Sequence, residues 1–148
     1  MYLTNDFQRN LDAKGRLTLP AEWRSAFADE KVTQICLVPM PEAVYGFAPE
    51  DHKAWLMSFF PDGFNPRSKA DTKLRRALAS RTVTVDIDSA GRLALSKLSE
   101  KTLAHYEIER EVEVIGNVDH FEIWNAASYE AELEEFSDDE FEALMFED

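Results

Sequence analysis

The chain has 148 residues, 45% of them hydrophobic, with 29 acidic against 16 basic side chains and a formal net charge of -13. That length accommodates one domain or two very small ones. The single cysteine, Cys36, excludes an internal disulfide, and no run approaches the ~20 apolar residues needed to span a bilayer. The N-terminal "MYLTNDFQRN" lacks a basic region followed by an apolar stretch, so no secretory signal is expected and the chain reads as cytoplasmic. The acidity is uneven. Residues 107–148 hold sixteen acidic side chains and one basic, whereas residues 64–84 hold six basic and one acidic. The mean charge therefore does not exclude an anionic partner for another face.

Taken in chain order, "FQRNLD" shows strand-like alternation with one slip. Asp12-x-x-Gly15 follows: an aspartate suited to accept its own backbone N–H two residues on, and a glycine that tolerates positive φ. The strand resumes as "RLTL", and Pro20 suits the start of a helix over "PAEWRSAF". Next, "ICLVPMPEAVYGF" reads as two strands around a turn, with Cys36 as a buried, inert thiol. "PEDHKAWLMSFF" is a helix with Trp55, Leu56, Phe59 and Phe60 on one side and His52 exposed, and Pro61 stops it. "SKAD" is a capping-box pattern opening a second helix. On that helix Lys69, Lys73 and Arg76 form a basic stripe, and Leu74, Ala77 and Leu78 face the core.

The pattern then starts again. Leu11, Asp12, Gly15, Arg16, Leu17 and Leu19 are echoed 76 positions later by Ile87, Asp88, Gly91, Arg92, Leu93 and Leu95. Ser96 takes the place of Pro20 as a helix N-cap, and "VEVIGNVDHFEIW" echoes the earlier strand pair. Two copies of one β-rich unit, each too small to be secure alone, are expected to share a core. The end is helical: Tyr129, Leu133 and Phe136 fall at i, i+4 and i+7, and "SDDE" caps a segment bearing Phe141, Leu144 and Met145. This acidic amphipathic tail is expected to dock on its own domain or on a neighbour, with simple disorder as the second reading. A further role considered for it is to mimic DNA and suppress loose binding to phosphates.

Three segments, "NLDAKGRLTLPAEWR", "VTVDIDSAGRLAL" and "EVEVIGNVDHFEIW", together resemble the MraZ family over roughly residues 5–130. The family's mark is Asp-x-x-x-Arg in each half, here Asp12 to Arg16 and Asp88 to Arg92. The resemblance implies an α+β fold: a pseudo-twofold pair of AbrB-like swapped-hairpin units forming a small β-barrel with peripheral helices. The units are expected at 5–52 and 81–130, with connecting helices at 53–80 and the tail at 131–148, all in one compact domain. It further implies a ring-shaped homo-oligomer, nucleoid-associated, acting as a transcriptional repressor. Its partner is double-stranded DNA, at G-rich direct repeats upstream of the division and cell-wall gene cluster. No cofactor, metal, membrane or small-molecule substrate is implied.

Carried over residue by residue, the DNA-binding positions are Asp12, Lys14, Arg16, Asp88 and Arg92. The chemistry of the residues agrees. An arginine on a hairpin presents a planar fork matching guanine O6 and N7 in the major groove. Lys14 suits a phosphate as a point charge. The aspartates would repel phosphate, so they belong to the turn or to orienting the arginine. The second copy has Ala90 where the first has Lys14, so the first turn is expected to contribute more. An enzyme is the rival class, but His52, His105 and His120 show no metal-ligand spacing, and no phosphate loop or nucleophile elbow occurs. A binding scaffold or antitoxin of the same fold type is the other alternative. Two internal halves argue against the usual antitoxin layout of one such half plus a tail.

Overall fold

Each half of the chain lays down the same succession: a strand, a turn, a short strand, helical structure, a hairpin and a helix. The computed structural model describes residues 1–147. Its elements are β1 (Asp6–Asn10), β2 (Arg16–Thr18), α1 (Ala21–Asp29), β3 (Gln34–Pro39), β4 (Val44–Phe47), α2 (Pro49–Met57), α3 (Lys69–Ser80), β5 (Val83–Asp86), β6 (Arg92–Ala94), α4 (Glu100–His105), β7 (Glu111–Gly116), β8 (Phe121–Asn125), α5 (Ala126–Glu135) and α6 (Asp138–Met145). A 3-10 turn, Leu95–Lys97, joins β6 to α4.

Six strands form one antiparallel sheet in the order β1-β7-β8-β4-β3-β5, and β2 pairs with β6 in a separate two-stranded ribbon. The first strand of each half leaves its own hairpin and pairs with that of the other half. Asn10 stands opposite Glu111, and the equivalent Asp86 stands opposite Gln34. The hairpins β3–β4 and β7–β8 meet where Tyr45 faces Glu122. In the ribbon, Leu17 faces Leu93, with Arg16 opposite Ala94 and Thr18 opposite Arg92. Exchanging equivalent residues of the two halves maps these registers onto themselves, so the backbone is two-fold in its pairing. β1 and β5 are the sheet's edges, so the sheet is open. The closed barrel expected from the resemblance is not part of the strand pairing.

The core lies between the sheet, the ribbon and α1, and draws on both halves: Leu17, Trp23, Phe27, Leu37, Leu93, Val114, Phe121 and Ile123 are all buried. Trp23 packs 5.4 Å from Phe121, and its indole N–H donates to the Thr4 carbonyl, so the buried nitrogen is satisfied. Phe121 lies directly across the strand pair from Gly46, and a Cβ at Gly46 would come within 2.3 Å of its ring. The glycine makes room for the aromatic ring. A smaller cluster, Leu56, Phe60 and Leu78, ties α2 to α3.

Several sequence expectations shift in place. Phe59 and Leu74 are exposed, at 41% each: helical spacing placed them on an apolar side, but no element covers that part of it. His52 is half-buried, hydrogen-bonded to the Thr82 hydroxyl, edge-on to Phe47 and tilted against Trp55. The N-cap of α4 is Ser99, which accepts from the Thr102 amide, because the chain makes a 3-10 turn at Ser96 first. Ser68 and Ser137 do cap α3 and α6. Over its described residues the tail forms α5 and α6. Tyr129 packs on Trp124, so α5 is docked at its start, whereas Leu133, Phe141, Leu144 and Met145 are exposed and the rest of the apolar face is uncovered; Asp148 lies outside the described residues. Cys36 is buried, and burial pushes its thiol pKa up.

A polar cluster sits beside the Tyr45–Glu122 pairing. Glu122, itself buried, accepts from the Trp124 indole at 2.8 Å and the Asn117 amide at 2.9 Å. His120 stacks on Tyr45 and Phe47, with Asp119 and Glu122 at its two nitrogens. Burial alone would lower the His120 pKa. The hydrogen bonds to Glu122 and Asp119 outweigh it, and the net shift is upward from 6.5. A raised histidine adds stability that is complete below its ordinary value and is lost as pH climbs through the folded one. Thermal melts should therefore show the wild-type midpoint falling as pH rises from the ordinary value of 6.5 through the higher folded one, with His120→Gln flatter over the same range. Equal slopes would remove the imidazolium from the account. At the ribbon, Leu17→Ala or Leu93→Ala should cost about 2–5 kcal/mol in denaturant unfolding.

Candidate nucleic-acid interface

The two Asp-x-x-x-Arg turns are built alike, atom for atom. Asp12 Oδ1 accepts from the Lys14 and Arg16 amides, each at 2.9 Å, and Asp88 Oδ1 accepts from the Ala90 and Arg92 amides at 2.9 and 2.8 Å. The Gly15 amide donates to the Asp12 carbonyl, and the Gly91 amide to that of Asp88, both at 2.9 Å. The glycines take φ of +73° and +76°, a left-handed conformation that costs other residues about 1–2 kcal/mol. The Asp-x-x-Gly spacing thus dictates a turn that needs both residue types.

The second carboxylate oxygen has a different task. Asp12 Oδ2 accepts from Arg16 Nε at 2.6 Å, and Asp88 Oδ2 accepts from Arg92 Nε at 2.8 Å. Each aspartate therefore does both things considered for it: it closes the turn and orients the arginine. The Arg16 amide first, then the guanidinium and the Lys14 amide, hold the Asp12 carboxyl below the usual carboxylate range. The Arg92 and Ala90 groups do the same for Asp88. Engagement at Nε leaves Nη1 and Nη2 of both arginines without a hydrogen bond among the described residues. Their side chains are 29% and 31% exposed. Each guanidinium is thus held by one edge and offers the other.

Strand pairing brings the two arginines together across 76 positions of sequence. Strand side chains alternate between faces, and directly paired residues share one. Arg16, Thr18, Arg92 and Ala94 therefore share a face of the ribbon, and the fully buried Leu17 and Leu93 hold the other against the core. Arg16 and Arg92 are diagonal neighbours, about 7–8 Å apart between Cα atoms. The ribbon is also locked end to end: the Leu95 amide donates to the Gly15 carbonyl, and the Leu19 amide to that of Gly91.

All five sequence-predicted positions, Asp12, Lys14, Arg16, Asp88 and Arg92, thus lie on or beside one ribbon. Lys14 is exposed at the first turn, with no ion pair among the described residues. The turns differ at one further point that sequence reading missed. Arg24 of α1 lies over the second turn, its Nη1 donating to the Ala90 carbonyl at 3.4 Å. The basic stripe of α3 is a separate feature. There Lys69, Lys73 and Arg76 are exposed, and Arg75 lies over the Phe64 ring.

Asp12→Asn retains an oxygen for the turn amides but sets an NH2 against Arg16 Nε. Proton NMR should show the Arg16 Nε–H losing its protection while the Lys14 and Arg16 amides keep theirs. Acidification should release the wild-type side chain similarly, with the sign set by a depressed carboxylate. The contribution is present above the ordinary value of 3.8 and is lost as pH falls through the lower folded one. Retained Nε–H protection in Asp12→Asn would mean the carboxylate does not hold the arginine.

The same two halves carry the relationship to known proteins. The profile of the family described as "MraZ protein, putative antitoxin-like" matches residues 2–43 and 78–145, which include both turns. A protein named transcriptional regulator MraZ from Mycoplasmopsis pulmonis is 29% identical over 148 residues, covering 99% of this chain and 94% of its own. One of the same name from Mycoplasmoides gallisepticum is 31% identical over 144 residues, covering 97% and 94%. A third, from Thiobacillus denitrificans, is 30% identical over 134 residues, covering 84% and 81%. These relatives are all named as transcriptional regulators. Two matched halves, each holding one Asp-x-x-x-Arg turn, and relatives aligned along nearly the whole chain make this protein a member of the MraZ family.

Proposed function

We propose that the chain is a transcriptional regulator that binds double-stranded DNA in a sequence-specific way, reading guanines with Arg16 and Arg92. The observation that carries this is the pair of guanidiniums, each pinned through Nε and each presenting its free edge on one face of a two-stranded ribbon. A β-ribbon of this kind fits the major groove, where arginine pairs with guanine O6 and N7. Pinning matters because a guanidinium already oriented loses less freedom on binding. A separation of about 7–8 Å between Cα atoms corresponds to roughly two steps of 3.4 Å along the duplex. The ribbon therefore suits two guanines about two base pairs apart, in keeping with a short G-rich motif.

Further parts of the reading follow from family membership. The exchange of β1 and β5 between halves supports two intertwined, AbrB-like hairpin units as its frame. A ring of such subunits, each offering one ribbon to a direct repeat, would let individually weak sites add through effective concentration. Repression and nucleoid association complete the proposal.

The two turns hold their arginines alike, so the expected ranking of Arg16 above Arg92 rests on Lys14 in the first turn against Ala90 in the second. Arg16→Ala and Arg92→Ala should each weaken binding to a duplex of tandem G-rich repeats by about 5- to 150-fold per engaged subunit, with folding unchanged by circular dichroism. Each should relax discrimination at a different guanine. Gel shifts against point-substituted repeats check both. Unchanged affinity in both variants would end the assignment and favour a protein-interaction scaffold.

A further inference from the structure

We propose that Arg24 is the phosphate-binding cation of the second turn, supplied from α1 in place of the lysine that this turn lacks. The inference rests on the DNA-binding reading above and concerns how the two ends of the ribbon are matched in charge.

The first turn carries its own point charge, Lys14, two residues before Arg16. At the matching position the second turn has Ala90. Its backbone is nonetheless covered by a cation. Arg24 lies three residues into α1 from its first residue, Ala21. Trp23 beside it is buried in the core and fixes the rotation of the helix. The Arg24 stem crosses Gly91 so closely that a Cβ on that glycine would lie 2.0 Å from Arg24 Cδ. The head reaches the Ala90 carbonyl at 3.4 Å. Gly91 therefore serves twice: its positive φ makes the turn, and its missing side chain lets the arginine through.

Arg24 is exposed, and among the described residues it makes no ion pair. That stands out in a chain with 29 acidic side chains. One weak bond to a carbonyl leaves most of its five donors free. The two-fold equivalent of Arg24 is Glu100, and the first turn's Gly15 has only Ser96 near it, at 3.9 Å. The cation over the turn is thus present where the lysine is missing, and absent where the lysine is present. Lys14 and Arg24 would flank the two reading arginines with one phosphate-binding charge at each end.

The test measures binding of the full chain to a duplex of three tandem G-rich repeats and to a scrambled duplex of the same composition, across a salt series. Arg24→Gln should weaken both duplexes by a similar factor, about three- to tenfold, and lower the salt slope by about one per engaged subunit. Arg24→Lys should stay near wild type. Ala90→Lys placed in the Arg24→Gln background should restore both affinity and slope, since it moves the charge into the turn as in Lys14. Unchanged affinity and slope in Arg24→Gln, while Arg16→Ala still loses binding, would overturn the inference and leave Arg24 as packing on Gly91. Weakening accompanied by a lower melting temperature and no rescue by Ala90→Lys would overturn it as well. If Arg16→Ala, Arg92→Ala and Arg24→Gln all bind as wild type, the DNA-binding reading itself fails.

Discussion

Leu17 against Leu93 is the contact on which the arrangement depends. Each leucine sits in a strand of three residues, too short to persist alone. Each strand finds its ladder partner in the other half of the chain. The buried face of the ribbon must meet the core, and a slip of one residue would turn both leucines outward and both arginines inward. Register, burial and the placement of Arg16 and Arg92 are thus one constraint. The wider sheet repeats the logic, since β1 and β5 complete the hairpin of the opposite half. Neither half closes its core without the other.

On that frame the chemistry is divided among few atoms. One aspartate oxygen satisfies backbone amides, and the other aims a guanidinium. This removes the conformational freedom of a long side chain before any ligand arrives. An exposed ion pair contributes little to stability, so the pair is better understood as positioning. Its cost is that an acid stands within the ribbon's own field, where it would repel an anion. A cation at each turn offsets that charge, and the two halves meet the requirement from different elements.

Local chemistry in the sequence disclosed much of this. Asp12-x-x-Gly15 and Asp88-x-x-Gly91 announced both turns, and Ser68 and Ser137 announced two helix caps, because each depends on residues three or four apart. Long-range partners were less legible. Periodicity marked Phe59 and Leu74 as apolar-side positions but could not say where the covering elements end. It equally could not say that β1 would seek β7, or that Arg16 and Arg92 would become diagonal neighbours. Arg24 escaped notice because its significance lies in what Gly91 lacks. A missing side chain on one element and a long one on another leave no shared pattern in sequence.

The near-symmetry of the ribbon has a directional consequence. Two identical halves would look the same after a half-rotation, and a duplex could be seated in either sense with equal energy. Lys14 rides on the apex of its own turn, whereas Arg24 reaches its turn from a helix anchored by Trp23. The two ends of the ribbon therefore carry their cations on different elements, and the molecule has a head and a tail. A palindrome would have no use for that difference. A row of motifs all pointing the same way would, on the proposed reading in which successive subunits engage a direct repeat.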